Sequence, residues 1–207
     1  VGTASRDGTS GGWGAVSGER RSTLSGHTDS VVGIACSPDG SRVASASRDG
    51  SARIWNIHSA ESLVTLVGQT DWVFGAAYSP DGTQIASSGD DGVARLIDLK
   101  SWETLHKFVG HTDHVRGVAF SSDGSRLATG SYDHTARIWD AATGTTLHTL
   151  IGHDAAIEGV AFSYCLLYTS DAADERSSVD LGGRRTIKKK KHTKTHGGEI
   201  YRENEKE

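Results

Sequence analysis

Apolar residues fall in short runs along this chain, and each run closes on a turn signal. "VVGIACS" at 31–37 and "RVASAS" at 42–47 are β-branched or small-apolar. The "PDG" between them marks a tight turn, because Pro presets φ and Gly accepts positive φ. "ARIWNI" at 52–57 follows a second turn at Asp49-Gly50, and "ESLVTLV" at 61–67 is a fourth run. Alternation within the runs is only partial, which predicts strands buried between neighbouring sheets. The pattern therefore predicts four short strands and a small sheet, too small to be stable alone.

The pattern repeats. "GHTDSVVGIACSPDGSRVASASRDGSARIWN" begins at Gly26, "GQTDWVFGAAYSPDGTQIASSGDDGVARLID" at Gly68, "GHTDHVRGVAFSSDGSRLATGSYDHTARIWD" at Gly110 and "GHDAAIEGVAFS" at Gly152. These starts are evenly spaced, with no insertion between them. "SRDGTSGGW" at 5–13 lies one such period before "SRDGSARIW" at 47–55. Three full units, 26–67, 68–109 and 110–151, and two partial ones, 1–25 and 152–164, thus fill residues 1–164. Repeated sheets of this size must pack on one another. About 16 strands are expected, the last of them after Gly152.

Composition fits turn-rich, strand-rich protein: of 207 residues, 26 are Gly and two are Pro. The formal net charge of −4 conceals an asymmetry, since residues 165–207 hold 10 of the 22 Lys+Arg. Two cysteines, Cys36 and Cys165, give no disulfide framework and no metal spacing, and Cys36 is expected to be a small buried core residue. The start, "VGTASRDGTS", is no signal peptide, and no run approaches the length of a membrane span. With no Met in the sequence, a truncated start is expected.

Units of this length that open on Gly-His and close on Trp-Asp resemble the WD-repeat (WD40) β-propeller family. The closing pair stands as Trp55-Asn56, Ile97-Asp98 and Trp139-Asp140. The resemblance covers roughly 1–164. It implies an all-β fold, a partial propeller with about four blades' worth of four-stranded antiparallel sheets, forming an open arc. It also implies a hydrogen-bonded set in each blade: His27, Ser45, Asp49 and Trp55 in one, His111, Thr129, Asp133 and Trp139 in another. Buried imidazole, indole and carboxylate each need partners, so such a set is physically coherent. A catalytic triad is the competing reading of His, Ser and Asp together; recurrence of the set from blade to blade argues against it. In the unit from Gly68, Gln69 and Ile97 replace His and Trp while Ser87 and Asp91 remain, so that blade is expected to be held less tightly.

Positions that vary between units are the candidates for contact. The residues flanking the constant apolar position after "HTD" are Ser30, Trp72, His114 and Ala156 before it, and Val32, Phe74, Arg116 and Glu158 after it. The residue before each turn Asp is Arg6, Arg48, Asp90 or Tyr132. The resemblance places all three positions on the top face of a propeller. Adjacent blades would then present Arg48, Trp72, Phe74, Asp90, His114, Arg116 and Tyr132 together, a mixture that protein-binding hot spots favour. Packing between blades is the alternative for Trp72 and Phe74. His114 and His134 are expected at the surface rather than as metal ligands, and Trp102 is expected to cap a blade edge.

These residues point to a non-catalytic scaffold that binds proteins or peptides, with no cofactor, no metal, no nucleic acid and no membrane, in the cytoplasm. Two alternatives are a sensor or regulatory region of a larger kinase or NTPase and a fragment of a propeller enzyme. The basic run "KKKKHTK" would read as a nuclear or nucleic-acid signal. However, "CLLYTSDAADE" and "VDLGGRR" within residues 165–191 resemble a translated sequencing-library adapter, with 175–178 in the place of a barcode. Residues 165–207 are accordingly expected to be a non-native, disordered tail with no domain and no function.

Overall fold

A computed structural model describes residues 1–66 and 71–163 of the chain. Gln69, Cys165 and the whole tail lie outside the described residues. Among the described residues, fifteen strands form four antiparallel sheets, each running outward in chain order. The first sheet holds β1 (Gly2–Ala4), β2 (Thr9–Trp13) and β3 (Arg20–Ser25). The second holds β4 (Val31–Cys36), β5 (Arg42–Ser47), β6 (Ala52–Asn56) and β7 (Ser62–Leu66). The third holds β8 (Val73–Tyr78), β9 (Gln84–Gly89), β10 (Ala94–Asp98) and β11 (Thr104–Phe108). The fourth holds β12 (Val115–Phe120), β13 (Arg126–Ser131), β14 (Thr135–Asp140) and β15 (Thr146–Ile151).

Turn chemistry sets these boundaries. Gly40, Gly82 and Gly124, the last residues of the "PDG" and "SDG" turns, have φ of 69°, 69° and 72°. A left-handed backbone of this kind is steep for a residue with a Cβ and free for glycine. The aspartate of each turn, Asp39, Asp81 or Asp123, accepts from the backbone N–H two residues on and from the preceding Ser hydroxyl, which closes the hairpin.

The sheets stack face to face through their innermost strands: β4 lies against β1, β8 against β4 and β5, and β12 against β8 and β9. Glycine makes this approach possible. A Cβ on Gly33 would lie 2.5 Å from Phe74 O, and one on Gly75 would lie 3.0 Å from Arg116 O. Between the sheets sit apolar side chains, most of them from the two middle strands of each sheet. Trp139, Phe108, Leu96 and Leu127 form one buried cluster, and Ile54, Ile85, Tyr78 and Ile97 another. Full burial of one such Leu or Ile is worth about 1.5–3 kcal/mol, so the stacking, not any single sheet, carries the stability.

Two expectations need correction. Residues 159–163 do not form a sixteenth strand; they lie against β12 but pair with no strand among the described residues, and a strand without a ladder partner has nothing to fix it. Cys36 is exposed, not buried. Its counterparts Tyr78 and Phe120 are long enough to fill the gap between sheets, whereas Cys36 faces Gly2, which offers no side chain to cover it.

Candidate functional site

Each innermost strand opens with a register shift: between Val31 and Gly33, Val73 and Gly75, and Val115 and Gly117. The extra residue at each bulge, Val32, Phe74 or Arg116, is released from the ladder, and bulges are known to re-aim side chains in this way. The tight turn at the end of the second strand then closes onto the same end of the sheet. Arg48 N donates to Ser30 O at 3.0 Å, Asp90 N to Trp72 O at 2.9 Å and Tyr132 N to His114 O at 3.0 Å. These backbone bonds hold all three variable positions of a sheet side by side.

From there each turn residue reaches the next sheet. The Arg48 guanidinium stacks 4.6 Å from the Trp72 ring centroid. His114 Nδ1 bonds Asp90 O at 2.9 Å and lies 3.0 Å from Asp90 Oδ1. Tyr132 Oη donates to Glu158 Oε1 at 2.8 Å. Arg116 ties the row together: it stacks 4.4 Å from Phe74 and 5.1 Å from Tyr132, donates to Tyr132 Oη at 2.8 Å and approaches Glu158 Oε2 at 3.4 Å. Trp72 meets Phe74 edge-on at 6.1 Å, and Phe74 meets His114 at 6.2 Å.

Arg48, Trp72, Phe74, Asp90, His114, Arg116 and Tyr132 are thus brought into one continuous network across three sheets. They are not equivalent. Phe74 is 7% exposed and lies beneath the others, packed between sheets, whereas Trp72 is 39% exposed. Glu158 belongs to the same network and was missed as a member. Its sequence signal was the bulge position one repeat period beyond Arg116. The row carries two arginines and two carboxylates, Arg48, Asp90, Arg116 and Glu158, with Arg48 stacked on the exposed indole.

A second polar set lies inside the sheets. Trp55 Nε1 donates to Ser45 Oγ at 2.7 Å, Ser45 Oγ meets His27 Nε2 at 2.7 Å and His27 Nδ1 meets Asp49 Oδ2 at 2.7 Å. The fourth sheet repeats the chain through Trp139, Thr129, His111 and Asp133 at 2.8, 2.7 and 2.8 Å. One proton order satisfies every group. The indole can only donate and the carboxylate can only accept, so Ser45 donates to Nε2 and Nδ1–H donates to Asp49. Burial pushes both histidines below their usual value against the pull of their aspartates, which keeps them neutral. Burial would raise Asp49, but hydrogen bonds from Ser51, His27 and backbone N–H groups outweigh it and bring the carboxyl to about 2. Ser45 has no exposed surface and its oxygen is occupied by indole and imidazole, so it is placed to hold a core rather than to attack a substrate.

In the third sheet, Ser87 and Asp91 keep their places and Ile97 stands where the tryptophan would be. There Arg95 bonds both Asp91 oxygens, at 2.6 and 3.2 Å. Trp102 caps this sheet from outside, packed on the cluster containing Ile97 and Leu99.

A family model described as WD domain, G-beta repeat, matches this sequence at residues 18–56, 60–98 and 102–140, more than half of the chain. Each match starts just before the outermost strand of one sheet and ends with the third strand of the next, so the sequence repeat itself bridges neighbouring sheets. No curated protein matches the chain.

Proposed function

The chain belongs to the WD-repeat family, whose propeller-type repeats serve as protein-interaction domains, and from that premise we propose that it is a non-catalytic scaffold. It binds a protein or peptide on the surface made by Arg48, Trp72, Asp90, His114, Arg116 and Tyr132 over the buried Phe74. One observation carries this reading: three positions that vary between the repeats converge in a single network spanning three sheets, around an exposed Trp72 stacked on Arg48. Trp, Tyr and Arg are the residues that dominate binding energy at protein interfaces, and here they are already held in place by neighbours, which lowers the entropy lost on binding. The fitting partner is a segment with an apolar anchor to lie on Trp72 and charges of both signs beside it.

A photo-crosslinking residue at position 72, compared with one at Leu147 on the outermost strand of the fourth sheet, tests this reading. Adducts with a protein or peptide partner are expected from position 72 and not from 147. Adducts from 147 alone would overturn the assignment of the surface.

A further inference from the structure

β8 begins beside Trp72 and ends at Tyr78, so these two residues stand at opposite ends of the innermost strand of the third sheet. At the Tyr78 end, the turns of the second, third and fourth sheets lie side by side. A Cβ on Gly82 would lie 3.5 Å from Pro38 Cδ, and one on Gly124 would lie 3.4 Å from Pro80 Cδ. Between the turns of the second and third sheets is a cleft of about 210 Å³. Ser37, Pro38, Asp39 and Arg42 line one side of it, and Tyr78 and Asp81 the other. Pockets that enclose a whole small molecule hold roughly 300–1,000 Å³, so this cleft suits one side chain.

The two aspartates serve their own turns. Asp39 accepts from Ser37 Oγ, Ser41 N and Ser41 Oγ, and Asp81 from Ser79 Oγ, Thr83 N and Thr83 Oγ1. These bonds, those from Ser37 and Ser79 foremost, hold both carboxyls below the usual carboxylate range, so both are charged. On each, Oδ1 takes two bonds and Oδ2 one, which leaves Oδ2 able to accept again. The other two groups are unspent. Tyr78 is only 9% exposed, its ring packs among Ala44, Ile54 and Ile85, and its Oη has no hydrogen-bond partner among the described residues. Burial pushes this hydroxyl up, so it keeps its proton, and it sits in the fields of Arg42 and Asp39. The Arg42 guanidinium is half-buried and, among the described residues, makes neither a side-chain hydrogen bond nor an ion pair. A buried hydroxyl left without a partner is costly.

The fold does not require this pair. One period on, Gln84 and Phe120 take the places of Arg42 and Tyr78, and the turns of the third and fourth sheets pack in the same way. Cys36, Phe120 and Phe162 stand at the matching positions of the other units, so the phenol is confined to this one cleft.

We propose that the cleft binds the carboxamide side chain of a Gln or Asn from a partner protein, at a site independent of the surface around Trp72. The amide oxygen accepts from Arg42 and from Tyr78 Oη, and the amide NH2 donates to Oδ2 of Asp39 or Asp81. An ion is matched less well. An entering carboxylate meets the two aspartates, and an entering ammonium meets Arg42. A neutral group that both accepts and donates satisfies both unspent donors and the carboxylates beside them.

NMR of the full chain, following the Tyr78 ring and Arg42 guanidinium signals, tests this with side-chain analogues. Propionamide stands for Gln, propionate for Glu and butylammonium for Lys. Propionamide is expected to shift both sets of signals with one dissociation constant. Propionate, butylammonium and N,N-dimethylpropionamide, which lacks the amide donors, are each expected to bind at least about fivefold more weakly. Tyr78→Phe and Arg42→Gln install residues that the fold already holds at positions 120 and 84, so both variants are expected to fold. Each is expected to weaken propionamide about fivefold, as loss of one hydrogen bond does. No shift with propionamide, equal binding of propionate or butylammonium, or propionamide binding unchanged in either variant overturns the proposal.

Discussion

Arg95 holds both oxygens of Asp91 in the sheet where Ile97 stands in place of Trp55 and Trp139. In the neighbouring sheets the corresponding arginines, Arg53 and Arg137, lie 5.9 and 5.8 Å from the tryptophan ring centroids instead. In those sheets Asp49 and Asp133 are bonded by His27 and His111, whereas Asp91 is bonded by a guanidinium. The third sheet was expected to be held less tightly in its polar core, but its aspartate keeps a bidentate partner. Arg95→Ala is expected to destabilise the protein by about 3 kcal/mol, as breaking one side of a largely buried pair does. Arg53→Ala in the second sheet should cost less. Denaturant midpoints of the two variants check the order.

Acid should weaken the fold in two stages. His27 and His111 have folded values lowered below the unfolded 6.5, so as pH falls the unfolded chain takes up protons first. Their contribution is full above 6.5 and is lost as pH drops below it toward the folded values. Asp49 and Asp133, also lowered, give a second loss below 3.8, which for Asp49 continues to about 2. Urea titrations across pH 4–8 are expected to show stability rising with pH up to about 6.5, and His27→Gln should flatten that slope.

Backbone strain gives a prediction of the opposite sign. The position after the turn Asp has φ of 81°, 80° and 75° at Gly8, Gly50 and Gly92, but the fourth sheet places His134 there at 67°. His134 is exposed, so little packing offsets the strain. His134→Gly is expected to stabilise the protein by about 1 kcal/mol. At the outer turn the series is Gly18, Ala60, Trp102 and Gly144, all at positive φ. Trp102→Gly should still destabilise, because the side chain packs on the buried cluster that contains Ile97 and Leu99. Thermal melts distinguish the two signs.

Close stacking at the innermost strands sets a further limit. A Cβ on Gly75 would meet Ser88 Oγ at 2.7 Å and Arg116 O at 3.0 Å, and the latter is backbone of the next sheet. Gly75→Ala is expected to cost about 1–3 kcal/mol, the usual range for overpacking. It should also disturb Arg116, which hydrogen exchange at residues 115–120 would detect. Gly40→Ala, with nothing near its Cβ position, should act only through its φ of 69° and leave those amides unchanged.

Sheets and turns were legible because period, Asp-Gly turns and apolar runs agree at every unit, and the polar chain from Trp55 to Asp49 followed from the family's pattern. Comparing the repeats picked out Arg48, Trp72, His114, Arg116 and Tyr132 as variable positions, and the family resemblance implied that they share one face. What the sequence hid were properties of side-chain reach. Phe74 is long enough to turn under its neighbours, Cys36 is too short to bury itself against a glycine, and Arg95 is flexible enough to reach both oxygens of Asp91. None of these follows from periodicity, which fixes where a residue sits and not how far its atoms extend.

The central claim is that partner binding runs through the network around Trp72 and Arg116. Recovery of bound protein by the full chain, compared with Trp72→Ala, Arg116→Ala and the outer-strand control Leu147→Ala, measures it most directly. Loss of a hot-spot residue lowers affinity by about tenfold or more. Recovery should fall by that order for Trp72→Ala and Arg116→Ala and hold for Leu147→Ala. Equal recovery by all four proteins, each folded, would contradict the account.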